Sequence, residues 1–340
     1  MVRALVLEQF GRVEVRDLIA IEPAAGEVVL QIIATGICGS DIHGFTGDNG
    51  RRVPGQVMGH ETVGRVLRRG EGVTIPIGTL ATVNPVLSCG TCAACLAGQE
   101  QACPTKKVIG VAPDIRSAFA EELVVRASNV VPLLESVPPE HGALVEPLAV
   151  GYHALRRGRC APDDTVLILG GGPIGQACVL AARRCGVANV HVSEPVLRRR
   201  VLVTALGATA IDPGSDEGAR DLAELNPTLV IDAVGVNGTL STALEVAGFG
   251  ARIVLVGMGS PRIELGAYGI STQERSVIGS FCYTAAEFTE TASWVGDGHP
   301  ELDMLIEDRV DLEHAQDAFA SLGAGSNPAS KVLVQMHGLP

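Results

Sequence analysis

Residues 165–175 read Thr165-Val166-Leu167-Ile168-Leu169-Gly170-Gly171-Gly172-Pro173-Ile174-Gly175. The first five make an apolar run of the kind a buried parallel strand needs. Three glycines then stop it, where a tight turn has no Cβ to accommodate. The segment Gln176 to Cys185 suits a helix. Strand, glycine turn and helix together make Gly170-x-Gly172-x-x-Gly175 more than a common glycine-rich loop. At that spacing the backbone approaches a pyrophosphate, and the helix N-terminus offers free N–H groups.

The same alternation continues downstream. Asn189 to Ser193 reads as a strand and Val196 to Leu206 as a helix. Further strands are expected at Leu229 to Asp232 and Ala251 to Val256. Strands alternating with helices predict a doubly wound parallel sheet of the Rossmann type over residues 151–280. Glu194 ends the second strand, about 20 residues past the last glycine. An acid there accepts ribose hydroxyls and repels a 2′-phosphate, which favours NAD. Arg198, Arg199 and Arg200 follow closely, either to solvate a helix or to receive that phosphate. Val234, Val256, Gly257 and Met258 fall at strand ends, which line the cofactor crevice in such sheets, although ordinary buried turns look similar.

Residues 1–150 look β-rich, with short runs such as ALVL, EVVLQIIA, GRVL and AEELVV between Gly and Pro breaks. After residue 280 the pattern is mixed. The strand-like Lys331 to Val334 is expected to return to the first domain, so 281–340 is assigned there.

The chain has 340 residues, 46% hydrophobic and 19% charged, which excludes a disordered segment and suits two domains. Its net charge is −12 and no block of Lys or Arg stands out, which argues against nucleic acid or anionic lipid as partners. The most apolar stretch, 166–182, is broken by the glycine turn, as no lipid-exposed helix would be. No signal peptide is read at the N-terminus, and a cytoplasmic protein is expected.

Nine cysteines are an odd number for a disulfide framework. Four of them, Cys89, Cys92, Cys95 and Cys103, crowd into one loop with Gly90 and Gly98. Four thiolates suit a closed tetrahedral zinc that holds a loop and does no chemistry; a dithiol redox pair is the alternative. A second set is scattered: Cys38, His60, Glu61 and Glu146. One thiolate, one imidazole and one carboxylate suit a catalytic zinc with an open position. Singly, each has a plainer reading as a core thiol, a turn histidine or a surface acid.

GICGSDIH (36–43), GHETVGRV (59–66), the cysteine loop, VEPLAVGYHAL (145–155) and GGGPIG (170–175) resemble, in order, the zinc-dependent medium-chain alcohol and polyol dehydrogenases. The likeness is to the sorbitol, threonine and butanediol dehydrogenase branch. It implies a GroES-like β-rich catalytic domain before the Rossmann domain, and two zinc ions per subunit. Cys38 and His60 would be zinc ligands. Glu61 would bind zinc or stand just behind it, and Glu146 would approach it directly or through water. Ser40 and His43 would relay the alcohol proton to solvent, and Asp41 would orient a ligand. Pro173, Ile174, Arg199 and Phe281 would join the cofactor contacts, and Phe119 would line the substrate pocket. Cys282 stands where polyol dehydrogenases often carry arginine, which sets a long polyol in doubt. Arg51 and Arg52 could meet an anionic substrate or simply be a solvated loop.

The expected function is therefore hydride transfer between NAD and a secondary alcohol, diol, polyol or cyclitol hydroxyl. A homo-oligomer, tetramer before dimer, goes with the resemblance. The alternatives are an NADP-linked reductase, a zinc-free quinone reductase of the superfamily, and a non-catalytic nucleotide- or zinc-binding relative.

Overall fold

The computed structural model describes residues 1–48 and 50–336. They form two compact units. One is Met1–Glu146 together with the chain from Thr284 onward, and the other is Pro147–Tyr283.

The first unit is built on a seven-stranded sheet with Glu27–Gly36 at its centre. That strand reads EVVLQIIATG, and most of its side chains are buried. It pairs antiparallel with Glu61–Arg69 and Glu122–Arg126. The late strand Val332–Gln335 also pairs with it, Leu333 lying opposite Gly36. Phe45, Phe119 and Phe319 meet in the core beneath, with ring centroids 5.5 Å apart in two pairs. The helix Gly39–Thr46 leaves the sheet at Cys38, its N-cap. Asp41 Oδ2 accepts the Cys38 backbone N–H at 3.2 Å, and Gly47 ends the helix at φ 86°.

The second unit is a six-stranded, all-parallel sheet. Its order is Thr209–Ile211, Asn189–Ser193, Thr165–Leu169, Leu229–Asp232, Arg252–Leu255 and Ser276–Gly279. The chain starts in the middle, works outward on one side, then returns to fill the other. The reversal lies between Thr165–Leu169 and Leu229–Asp232, the switch point at which open α/β sheets bind ligands. The expected strand at 229–232 is found unchanged, and the helix expected at 196–206 runs Leu197–Ala205. Both edge strands, Thr209–Ile211 and Ser276–Gly279, are additions to the sequence reading. No helix of the described residues is long and apolar enough to cross a membrane.

Candidate functional site

Two sets of metal-ligating side chains converge in the first unit. The sulfurs of Cys89, Cys92, Cys95 and Cys103 all lie within 4.8 Å of one another. Cys92 and Cys95 are 3.5 Å apart, and Cys89 and Cys95 3.9 Å. Thiolates about 2.3 Å from a tetrahedral zinc stand about 3.8 Å apart, so the donor set fits that ion. Gly90 at φ 73° and Gly98 at φ 68° let the loop curl. Backbone amides point at the sulfurs: Cys92 N–H donates to Cys89 Sγ at 3.3 Å, and Cys89 N–H to Cys103 Sγ at 3.5 Å. The Thr91 and Cys92 amides bring the Cys89 thiol down to about 5, and the Cys89 amide lowers Cys103.

The second set is Cys38, His60 and Glu61, whose ligand atoms also lie within 4.8 Å of one another. Cys38 comes from the start of the helix. His60 and Glu61 come from the start of the strand Glu61–Arg69, beside the end of Glu27–Gly36. His60 is buried, and its Nδ1 has no hydrogen-bond partner and stands 3.7 Å from Asp41 Oδ1. Glu61 Oε2 pairs with Lys331 Nζ at 2.5 Å, and both side chains are almost wholly buried. Lys331 Nζ also donates to the Ile37 carbonyl at 3.3 Å. Gly36 makes the room, because a Cβ there would sit 2.2 Å from Glu61 Oε2. Glu146 is buried outside the tight trio, and its charge acts on both His60 and Lys331.

The charges describe the site better than any single distance. Cys38 as thiolate, Asp41, Glu61 and Glu146 supply four negative charges, and Arg52 and Lys331 supply two positive ones. A divalent cation brings the sum to zero. Without it His60 takes a proton: burial disfavours the imidazolium, but Asp41, Cys38 and Glu146 outweigh that and push its pKa up to about 10. Lys331 is likewise raised, since Glu61 and Cys38 overcome the penalty of its burial. The residues present fit a zinc ion with a position left open.

Ser40 is half-buried and His43 exposed on the same helix, one leading inward and one outward. Arg52 Nη2 lies 3.4 Å from Ser40 Oγ and 3.5 Å from Asp41 Oδ1. Arg52 is therefore no solvated loop residue; only Arg51 is exposed. Phe119 also corrects the sequence reading. It is fully buried against Phe319, and a Cβ on Gly59 would touch its ring, so it is spent on packing and lines no open pocket. The sequence reading missed Lys331 as part of the site, and offered Arg52 only as a substrate contact or a solvated loop residue. The one available signal for Lys331 was a lysine placed directly before a buried strand.

In the second unit the glycine turn is sterically obligatory. Gly170 sits at φ 95°, and a Cβ on Gly175 would stand 1.9 Å from the Gly170 carbonyl oxygen. Gly172 begins the helix Pro173–Arg184 with no side-chain cap and open space about it. Pro173 and Ile174 are half-buried there. Glu194 is fixed at the end of the second strand: Oε2 accepts the Gly171 N–H at 2.7 Å and Oε1 the Val196 N–H at 2.8 Å. Arg200 is committed elsewhere, to Asp212 at 2.7 Å and to the carbonyls of Glu194 and Pro195. Arg199 Nε is buried without a partner. Val234 donates its N–H to Asp232 Oδ1 at 3.0 Å, and Gly257 donates to the Asp232 carbonyl at 2.9 Å. Asp232 thus joins the loops after two adjacent strands. Val256 is buried beside them, whereas Met258 and Phe281 are exposed.

Residues 24–135 match the alcohol dehydrogenase GroES-like domain, and residues 173–297 the zinc-binding dehydrogenase family. The 2-dehydro-3-deoxy-L-galactonate 5-dehydrogenase of Pseudoalteromonas atlantica is 34% identical over 322 residues, 93% of each chain. This chain is a zinc-dependent medium-chain dehydrogenase. Two solved structures share its fold at a TM-score of 0.90 and 32% identity. One is a zinc-binding dehydrogenase of Sinorhizobium meliloti bound to NADP, with 99% of each chain covered. The other is an alcohol dehydrogenase of Escherichia coli complexed with NADH, with 98% of this chain and 99% of that one covered. The medium-chain dehydrogenase is accordingly an NAD(P)-dependent oxidoreductase acting on alcohol groups, with a GroES-like unit and a Rossmann unit.

Proposed function

We propose that the enzyme oxidises a secondary hydroxyl of a polyhydroxylated chain, a polyol or a sugar acid, with NAD as hydride acceptor. The observation that carries the chemistry is the convergence of half-buried Cys38 with buried His60 and Glu61, their ligand atoms within 4.8 Å of one another. Zinc held there supplies a Lewis acid for the substrate oxygen. Cys38, His60 and Glu61 hold it, and Glu146 adds its charge beside them. Asp41 faces His60 Nδ1 and fixes the ring. Ser40 Oγ receives the alcohol proton, and His43 passes it to solvent. Arg52 donates to Ser40 and fixes its oxygen. The four-cysteine loop holds the second zinc and takes no part in the reaction. The galactonate-type relative supports a sugar acid as readily as a neutral polyol.

Glu194 supports NAD over NADP. Its carboxylate is rigidly held where ribose hydroxyls arrive, and Arg200 is engaged with Asp212. Gly170, Gly172, Pro173, Ile174 and Gly175 cradle the pyrophosphate. Arg199, Val234, Val256, Gly257, Met258 and Phe281 complete the cofactor contacts. The reading includes a cytoplasmic homotetramer, carried over from the sorbitol and threonine dehydrogenase branch, which light scattering tests.

A panel of secondary alcohols, polyols and sugar acids, offered with NAD to zinc-loaded protein, tests the proposal through the absorbance of the reduced nicotinamide. Protein that binds NAD but oxidises none of them would overturn it. Equal efficiency with NADP would overturn the cofactor assignment, and Glu194→Ala should narrow the preference.

A further inference from the structure

Two helix ends meet beside the first strand of the parallel sheet. Helix Val145–Arg157 is followed by Arg159 in the left-handed region, φ 50°, and the Cys160 N–H closes on the Leu155 carbonyl at 3.0 Å. Helix Pro173–Arg184 ends in the same way. Gly186 is left-handed at φ 82°, the Cys185 N–H bonds the Ala181 carbonyl at 3.0 Å, and the Val187 N–H bonds the Ala182 carbonyl at 3.1 Å. Such caps fix the backbone on either side of the left-handed residue. One cysteine flanks each of them. A Cβ on Gly186 would stand 3.6 Å from Pro162, so the two ends lie side by side. The helices also touch within their length, since a Cβ on Gly151 would come within 2.6 Å of the Ala177 backbone. Between these two anchor points the Cys185 side chain is close enough to act on the Cys160 thiol. Both cysteines are half-buried, within reach of a small reagent, and neither belongs to a metal set.

We propose that Cys160 and Cys185 form a reversible disulfide, a redox-controlled staple between the helix that enters the parallel sheet and the helix that carries the cofactor turn. A disulfide needs its two sulfurs at about 2.05 Å and its backbones already close. The neighbouring helix ends, with Gly186 against Pro162, bring the two backbones together, and a side-chain approach supplies the first condition. The Cys185 side chain, together with burial, holds the proton on Cys160 and raises its pKa well above the usual thiol range.

The oxidant is a small soluble disulfide of the glutathione class. The Cys185 thiolate attacks one of its sulfurs, that S–S bond breaks, and one small thiolate leaves and takes up a proton. Cys160 then gives its proton to solvent and attacks Cys185 Sγ. The mixed disulfide breaks, and the second small thiolate leaves and is protonated. The two protein thiols have lost two electrons and two protons, and the small disulfide has become two thiols.

The full-length, zinc-loaded protein is equilibrated across a series of oxidised-to-reduced glutathione ratios. Free thiols are then alkylated, and the digest is read by mass spectrometry. The expected result is one peptide pair joined through Cys160 and Cys185, lighter by two hydrogens, that returns to free thiols under reduced glutathione. The thermal midpoint of the oxidised protein should rise by about 5–10 °C for a closed loop of about two dozen residues. Cys160→Ser and Cys185→Ser should each abolish both effects. Full alkylation of both cysteines at every ratio would overturn the proposal. So would glutathione retained on Cys185 without resolution by Cys160, or a bridge that forms only in denaturant. Should the serine variants fail to fold, the alkylation pattern of the unaltered protein decides.

Discussion

Gly36 is a residue with no side chain on which a charged pair depends. A methyl group there would sit 2.2 Å from Glu61 Oε2 and 3.3 Å from Lys331 Cδ, so Gly36→Ala must push one of the two aside. Either movement upsets the balance of charge around Cys38 and His60. Zinc content should fall from two per chain towards one, with the cysteine loop still loaded. Turnover should drop by about 10–100-fold, the usual cost of disturbing what supports a metal ligand. Metal analysis beside kinetics checks this, and a variant that keeps both ions and its full rate would count against the pairing. His43 behaves differently, being exposed on the helix that begins at Cys38. His43→Ala should keep zinc and NAD affinity and lose about 10²–10⁴ in alcohol oxidation, most severely at low pH. Normal rates at every pH would make it an ordinary surface histidine.

Among the elements, the cysteine loop is the most local. Its ligands span residues 89 to 103, and short helical turns and glycines bend the chain around them. Cys95→Ser should release that zinc and lower the melting temperature, while Cys38→Ser should stop turnover in a protein that melts normally. Calorimetry on the two variants separates the roles. The loop was legible in the sequence for the same reason that it is local, since four thiols at so short a spacing suit little besides a metal ion. The central strands were legible too: Leu229–Asp232 is buried on both faces and carries no alternation to confuse it. The edge strands Thr209–Ile211 and Ser276–Gly279 were not, being short, with half-exposed or exposed residues that look like loop. Arg52 was read together with Arg51 as a substrate contact or solvated loop, and only its burial separates it from its neighbour. Phe119 misled because an aromatic in a familiar position was judged by its type, whereas its packing partner Phe319 lies 200 residues away in the sequence.

For the whole molecule, the two metal sets predict two responses to a chelator. The trio Cys38, His60 and Glu61 offers three protein donors, whereas the loop offers four, which would close a tetrahedral shell. Activity should therefore be lost before structure as chelator is added, with about one zinc per chain remaining when turnover stops. Zinc restored at that stage should restore the rate. Loss of both ions in one step, together with unfolding, would show that the two sites are not independent.

The strand Val332–Gln335 has one more consequence, for the order in which the protein can mature. Lys331 meets Glu61 across 270 residues of sequence, while the four cysteines need only their own loop. A growing polypeptide could load its sulfur site when less than a third of it has been made. The site of reaction must wait for Lys331 to be translated and brought home. Until then Glu61 lacks the cation that the finished fold sets against it.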